Sequence, residues 1–398
     1  MALVDKVQSL AKQYFTEIQS IRHHLHQYPE LSFEEHETST YIIEQLQKIG
    51  ITEIKKGVAG TGIIAYIRGN NPESKEIALR ADIDALPIIE ANDVPYKSKN
   101  EGVMHACGHD VHTSSMLGAC KILHELKSEL TGSVRILFQP GEERLPGGAS
   151  LMLKDGAMEN PKPSNITGQH VMPLIDAGKV GFRSGMYMAS ADEIFLTIKG
   201  KGGHAAMPEM NIDPITVMAQ IITALQQVVS RHASPKIPSV LSFGKITANG
   251  ATNVIPNEVY LEGTFRTMNE EWRMKAHEHI RSIAENIAEG FGATCEVDIR
   301  VGYPFLKNNP ELTSQLRTYA EEYLGEENVV DLDLWMAAED FAYYTQVADA
   351  CFYRLGIRNE SKGINSGLHT PTFNIDESAL EIGAGLMAYL AAKQLTSN

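Results

Sequence analysis

Nowhere in this chain does an apolar run approach the roughly 18 residues that a membrane span requires. The N-terminus also lacks the basic, then apolar, then small-residue order of a secretory signal, so a cytoplasmic protein is expected. Basic patches are missing too. Lys and Arg number 35 against 50 Asp and Glu, a formal charge of -15, which excludes the electrostatic footprint of a nucleic-acid binder. Cysteine is scarce: Cys107, Cys120, Cys295 and Cys351 lie far apart with no Cys-x-x-Cys pair. That excludes a disulfide framework and suits a reducing compartment. Cys120, Cys295 and Cys351 sit among apolar residues, as buried thiols do, whereas Cys107 has metal-type neighbours. Internal repeats and low-complexity tails are absent.

What remains is an ordinary soluble composition, 43% hydrophobic and 21% charged, in a chain of 398 residues. That length exceeds one compact core, so two domains are expected. Val7, Leu10, Tyr14, Ile18, Ile21 and Leu25 recur at steps of three and four and predict a helix over 4–27, ended by Pro29. A second helix is predicted over 33–48, stopping at Gly50. Strands at 62–68 and 76–83, helical spacing over 112–126 and an apolar strand at 133–139 follow, the last broken by Pro140-Gly141. This alternation predicts an α/β layer structure, a mixed and mainly parallel sheet flanked by helices, with functional groups at strand ends.

From Glu193 the order changes to strand (194–199), glycine-rich turn, helix (214–231), strands (239–247 and 258–268), helix (270–290) and strand (294–301). Such a βαββαβ unit closes as a ferredoxin-like four-stranded sheet with two helices on one face. It reads as a domain over 187–301 inserted into a larger one made of 1–186 and 302–398. Helices near 310–323, 340–346 and 377–395 and a strand at 350–355 complete the larger domain.

The densest chemistry lies in Met104 to His112, where His105, Cys107, His109, Asp110 and His112 crowd together and Gly108 permits a tight backbone. Packing does not account for a thiol and an imidazole two residues apart. Asp110 stands where a helix N-cap is expected, and can either accept a backbone N–H or orient a metal-bound imidazole. The apolar strand before Pro140-Gly141 aims Glu142 and Glu143 at a sheet edge, where adjacent side chains diverge. One of the pair can bind metal while the other acts as general base, the division of labour hydrolysis needs. His170 and His369 each follow an apolar-to-polar switch or lie in a loop. A catalytic zinc takes three protein ligands plus water, so Cys107, His109, Glu143, His170 and His369 are too many for one open site and suit two neighbouring ions.

Five motifs in order resemble the hippurate hydrolase and auxin-conjugate hydrolase branch of the aminoacylase/carboxypeptidase metallopeptidases. They are Ala81 to Pro87, Met104 to His112, Gln139 to Glu143, Gly200 to Pro208 and Ala338 to Phe341, and they span nearly the whole chain. The resemblance implies a dinuclear-metal amidohydrolase with a catalytic domain and an inserted dimerisation or lid domain, working as a homodimer. It also implies that Cys107 bridges the ions, that His109, Glu143, His170 and His369 complete them, and that Glu142 is the base. By the same resemblance His204 would contact the developing oxyanion across the dimer, in the partner's site; read locally it is a turn residue beside glycines. Asn253 and Arg266 occupy positions similar to those that hold a substrate carboxylate, a task Arg suits, although a solvent-facing strand Arg would look the same. Elsewhere in the wider family a metal-binding His stands at the position of Asp82 and an Asp bridge at that of Cys107, which leaves zinc, manganese, nickel or cobalt open. Asp84, Asp110 and His112 would support the ligands, Asp84 also being readable as a loop acceptor.

The reaction implied is hydrolysis of N-acyl-L-amino acids with acetyl, benzoyl or similar acyl groups. A dipeptidase or carboxypeptidase would use the same machinery and differ only in pocket shape. A metal-binding protein without catalysis is the rival of another class, and it would have no need of Glu142 beside Glu143.

Overall fold

The computed structural model describes residues 1–396. Contacts divide them into two compact units, one of Met1–Gly185, Lys307–Asp333 and the chain from Asp340 onward, the other of Met186–Leu306 with Leu334–Glu339. The second unit thus takes in a short return segment that no periodicity in the sequence marks.

In the first unit, helix α1 (Leu3–Gln27) buries Val7, Ala11, Ile18 and Leu25 along one stripe. Helix α2 (His36–Ile49) begins three residues later than the pattern predicts, because Phe33 takes a left-handed conformation (φ 68°) that no helix accommodates. Strands β1 (Ile54–Val58), β2 (Gly62–Arg68), β3 (Glu76–Asp82), β4 (Ser133–Gln139), β5 (Asn165–Asp176) and β6 (Val180–Phe182) join Asp349–Arg358 and Val329–Asp331 in one mixed eight-stranded sheet. Its order is β1-β2-β4-β3-β5, then Asp349–Arg358, β6 and Val329–Asp331. The middle strands β4, β3, β5 and Asp349–Arg358 run parallel, so their carboxyl ends share one edge of the sheet. Strands β3 and β4 are buried along their whole length, as central parallel strands are. Helix α3 (His109–Leu126), α1 and the C-terminal helix Ala379–Leu395 pack together beside them, the last apolar all round and buried accordingly.

The second unit has its own core, including Ile194, Leu196, Ile198, Ile221, Phe265 and Ile280. Its antiparallel sheet runs Ser239–Thr247, Glu258–Thr267, Asp192–Lys199, Thr294–Val301. Helices Pro214–Gln227 and Glu270–Gly290 pack on it, each started by a side chain, Asp213 or Asn269, that accepts a first-turn N–H. Gly203–His204 and Val254–Ile255 form a separate two-stranded pair. Among the described residues no helix is long and apolar enough to cross a membrane.

Candidate metal centre

Helix α3 begins at His109, and its N-cap is Gly108 at φ 84°. A Cβ at Gly108 would lie 2.5 Å from Val171 Cγ2, so both the backbone and the space demand glycine here. That turn separates Cys107 from His109 and lets both face inward. It also corrects the expected N-cap: Asp110 stands one step inside the helix, and its Oδ2 accepts from Arg22 Nε and His26 Nδ1, each at 2.8 Å.

His109 and His170 each have one ring nitrogen committed. His109 Nδ1 donates to Asp84, 2.9 Å from its carbonyl and 3.1 Å from Oδ1. Its Nε2 is buried without a hydrogen-bond partner among the described residues. His170 Nδ1 donates to the Val171 carbonyl at 2.7 Å, leaving Nε2 3.5 Å from Cys107 Sγ. His369, in the loop after Asp349–Arg358, holds φ 58° and donates its backbone N–H to the Ala106 carbonyl at 2.8 Å. Its Nε2 lies 3.0 Å from Glu143 Oε1, an oxygen that makes no hydrogen bond among the described residues. Glu142 Oε2 lies 3.9 Å from His109 Nε2.

These side chains form overlapping groups whose ligand atoms all lie within 4.8 Å of one another: Cys107, His109 and His170; Cys107, Glu143 and His369; His109, Glu142 and Glu143. The set of one thiol, three imidazoles and carboxylates, with spare atoms converging, fits transition-metal ions. Asp82, His109 and His112 meet the same distance criterion. His112 has nothing left to offer a metal, however. Its Nε2 accepts the Val171 N–H at 2.9 Å, so its Nδ1 carries the proton that goes to Asp82 Oδ1 at 2.6 Å.

The electrostatics call for positive charge at this point. Burial, with Glu143, Glu142 and Asp82 around it, pushes the Cys107 thiol well above its ordinary range. Burial alone would lower His109, but Asp82 and Asp84 outweigh it and raise the imidazole to about 10. His170 is driven well below its usual value by burial and by the Arg354 charge, so it stands neutral, as a ligand imidazole does. His105 is buried, makes no hydrogen bond among the described residues, and is pushed down to about 4 by burial. It joins none of the groups.

In the second unit, His204 is exposed in the short strand paired with Val254, and its Nδ1 accepts the Ala206 N–H at 3.1 Å. The Asn253 carbonyl accepts the Ala205 N–H at 3.1 Å, which ties Asn253 to the same strand pair. Arg266 is half-buried on Glu258–Thr267. It donates to the Met336 carbonyl at 3.3 Å and has no carboxylate partner among the described residues.

Residues 78–393 match the family model described as peptidase family M20/M25/M40. The chain belongs to that family. It is 41% identical over 375 residues to the N-acetyl-L-cysteine deacetylase of Bacillus subtilis, covering 94% of this chain and 87% of the relative. It is 38% identical over 396 residues to thermostable carboxypeptidase 2 of Saccharolobus solfataricus, covering 99% of both. The crystal structure of the Bacillus subtilis YXEP protein, described as a dinuclear metal binding peptidase from M20 family, superposes with a TM-score of 0.83 at 36% identity. That match covers 97% of this chain and all of the other. This M20 chain is therefore a hydrolase of linear amide or peptide bonds.

Sequence reasoning did not find every residue that shapes the site of this M20 hydrolase. Asp84 Oδ2 accepts from Ser32 Oγ at 2.6 Å and from the Glu143 N–H at 3.0 Å, so one carboxylate ties His109 to the glutamate turn. Beneath it, Arg80 donates to Asp82 Oδ2 at 2.7 Å, Asp340 Oδ1 at 2.8 Å and Gln139 Oε1 at 2.9 Å, and Gln139 Nε2 donates to Asp340. Ser32 and Arg80 carry no motif of their own. Gln139 and Asp340 lie inside quoted motifs, and only their contacts give them a task.

Proposed function

We propose that this M20 hydrolase cleaves the amide bond of N-acyl-L-amino acids, with Cys107, His109, Glu143, His170 and His369 holding two divalent ions and Glu142 as general base. The observation that carries the reading is the convergence of these ligand atoms in overlapping groups within 4.8 Å, His109 Nε2 among them without a hydrogen-bond partner among the described residues, beside the buried Glu142 carboxylate. When bound, two such ions polarise an amide oxygen and bring the pKa of a water toward about 7. Glu142 takes the proton of the attacking water on a carboxylate oxygen, holds it in a site shielded from solvent, and delivers it to the leaving nitrogen. Asp84 fixes the His109 tautomer, and His112 keeps β3 and β5 in register beside His170.

The acyl-amino-acid substrate is supported by the deacetylase relative and by a second one, the IAA-amino acid hydrolase ILR1-like 5 of Arabidopsis thaliana, 38% identical over 394 residues. Arg266, desolvated, with Asp192 acting on it only at a distance and no ion pair among the described residues, suits a substrate carboxylate, and we place Asn253 beside it in that task. We assign His204 to the developing oxyanion, with the second unit, ferredoxin-like in its strand order, acting as lid and dimer contact. Four free cysteines support a reducing, cytoplasmic setting. The carboxypeptidase relative favours a second reading, cleavage of a C-terminal peptide bond by the same groups.

The test is turnover of acetyl-, benzoyl- and longer-chain acyl-amino acids beside dipeptides and longer peptides, on apo-protein restored with zinc, manganese, nickel or cobalt singly. Preference for acyl-amino acids supports the first reading, preference for peptides the second. No turnover of either class with any metal contradicts both.

A further inference from the structure

One buried carboxylate near the site belongs neither to the ligand set nor to the proton path. Glu35, just ahead of α2, reaches the Pro140-Gly141 turn from 106 residues away and is fully buried. Its Oε1 accepts two backbone N–H groups at 2.8 Å, those of Phe33 and Gly141, and its Oε2 accepts the Thr61 hydroxyl at 2.6 Å. The Phe33 ring presses on the same turn: a Cβ at Gly141, where φ is 57°, would lie 2.3 Å from a ring carbon. From another side, a Cβ at Gly62 would meet Pro140 Cδ at 2.8 Å. The Gly148 N–H closes the far end on the Gly141 carbonyl at 3.0 Å.

Phe33 at φ 68° holds a left-handed conformation that a bulky side chain rarely adopts and that persists only where its surroundings over-determine it. The surroundings here are the Glu35 carboxylate and the glutamate turn. The next two residues after Gly141 are Glu142 and Glu143. We propose that Glu35, with the Phe33 ring, is a positioning residue: it clamps the Gly141 turn and thereby sets the aim of Glu142 at the attacking water. The inference rests on reading Glu142 as the base.

Glu35 acts here as a hydrogen-bond acceptor. Glu35→Gln keeps one oxygen for the two N–H groups and can donate its amide to the Thr61 hydroxyl, whereas Glu35→Ala abandons all three donors. The experiment measures kcat, KM and unfolding temperature for Glu35→Ala, Glu35→Gln and Glu142→Gln on the best acyl-amino acid, with metal saturating. In Glu35→Ala, kcat is expected to fall about 100-fold, the scale of a misplacement near 1 Å, while KM stays within about threefold. Glu35→Gln is expected to recover kcat to within about fivefold of the unsubstituted enzyme. A folded Glu35→Ala with unchanged kcat, or a loss confined to KM, overturns the clamp, as does Glu35→Gln being as impaired as Glu35→Ala. If Glu35→Ala does not fold, Glu35→Asp, one methylene too short for both N–H groups, is read the same way. Full activity of Glu142→Gln would sink the base reading and the clamp with it. Inactive Glu142→Gln beside fully active Glu35→Ala would sink the clamp alone.

Discussion

The Nε2 of His112 accepts the backbone N–H of Val171 at 2.9 Å. A histidine expected from the sequence to support the ligands thus joins two strands, with its other nitrogen on Asp82 at the end of β3. Its position bears on His170, which sits beside Val171 and gives its own Nδ1 proton to the Val171 carbonyl. His112→Phe keeps the ring volume but strands the Val171 N–H in a buried site. The expected result is a loss of about 1–3 kcal/mol in denaturant unfolding. In metal titration, affinity should weaken about 10- to 100-fold through the loosened His170.

The second unit rests on a buried ion pair that predicts its acid limit. Asp192 accepts from Arg273 Nη2 at 2.6 Å, Arg273 Nε at 2.9 Å and His277 Nε2 at 2.8 Å. Burial alone would raise the Asp192 carboxyl, but the His277 and Arg273 hydrogen bonds outweigh it and hold the group below the usual carboxylate range. A depressed folded-state pKa contributes stability that is present above the unfolded value near 4 and lost as pH falls through the folded one. Asp192→Asn leaves the buried Arg273 only the partly exposed Glu270, 2.9 Å from its Nη1, as an acidic partner, and should cost about 3 kcal/mol at neutral pH, read by chemical unfolding. The gap between the two proteins should close below about pH 4.

If His204 completes the site of a partner subunit, two inactive proteins should complement each other. Mixing His204→Ala with Glu142→Ala under conditions that exchange subunits is expected to restore part of the activity in the mixed dimer. Mixed dimers that form and stay inactive would count against the arrangement.

Much of the larger sheet and the donor set was legible because residue type carries the signal. Strand β4 ends just before the paired glutamates, and Cys107, His109 and His369 come from loops or a helix start, where α/β sheets gather function, whereas His170 lies within β5. Less legible was anything made by a distant acceptor. Asp110 looked like a helix cap because local spacing cannot reveal that Gly108, pressed by Val171, takes the cap, or that Arg22 and His26 claim the carboxylate. The start of α2 was missed for the same reason: Phe33 is held out of the helix by Glu35 and the Gly141 turn. Short strands such as β6 and Val329–Asp331 are too brief for a period-2 pattern to register.

The central claim is that Glu142 moves the proton while other residues hold the metal. Glu142→Gln, purified and loaded with the metal that best supports the unsubstituted enzyme, should be analysed for bound metal and assayed on an N-acyl amino acid. The account predicts two ions per chain, as in the parent, with turnover lower by about 10²- to 10⁴-fold, the range for a lost general base. Turnover near that of the parent with both ions bound would contradict it.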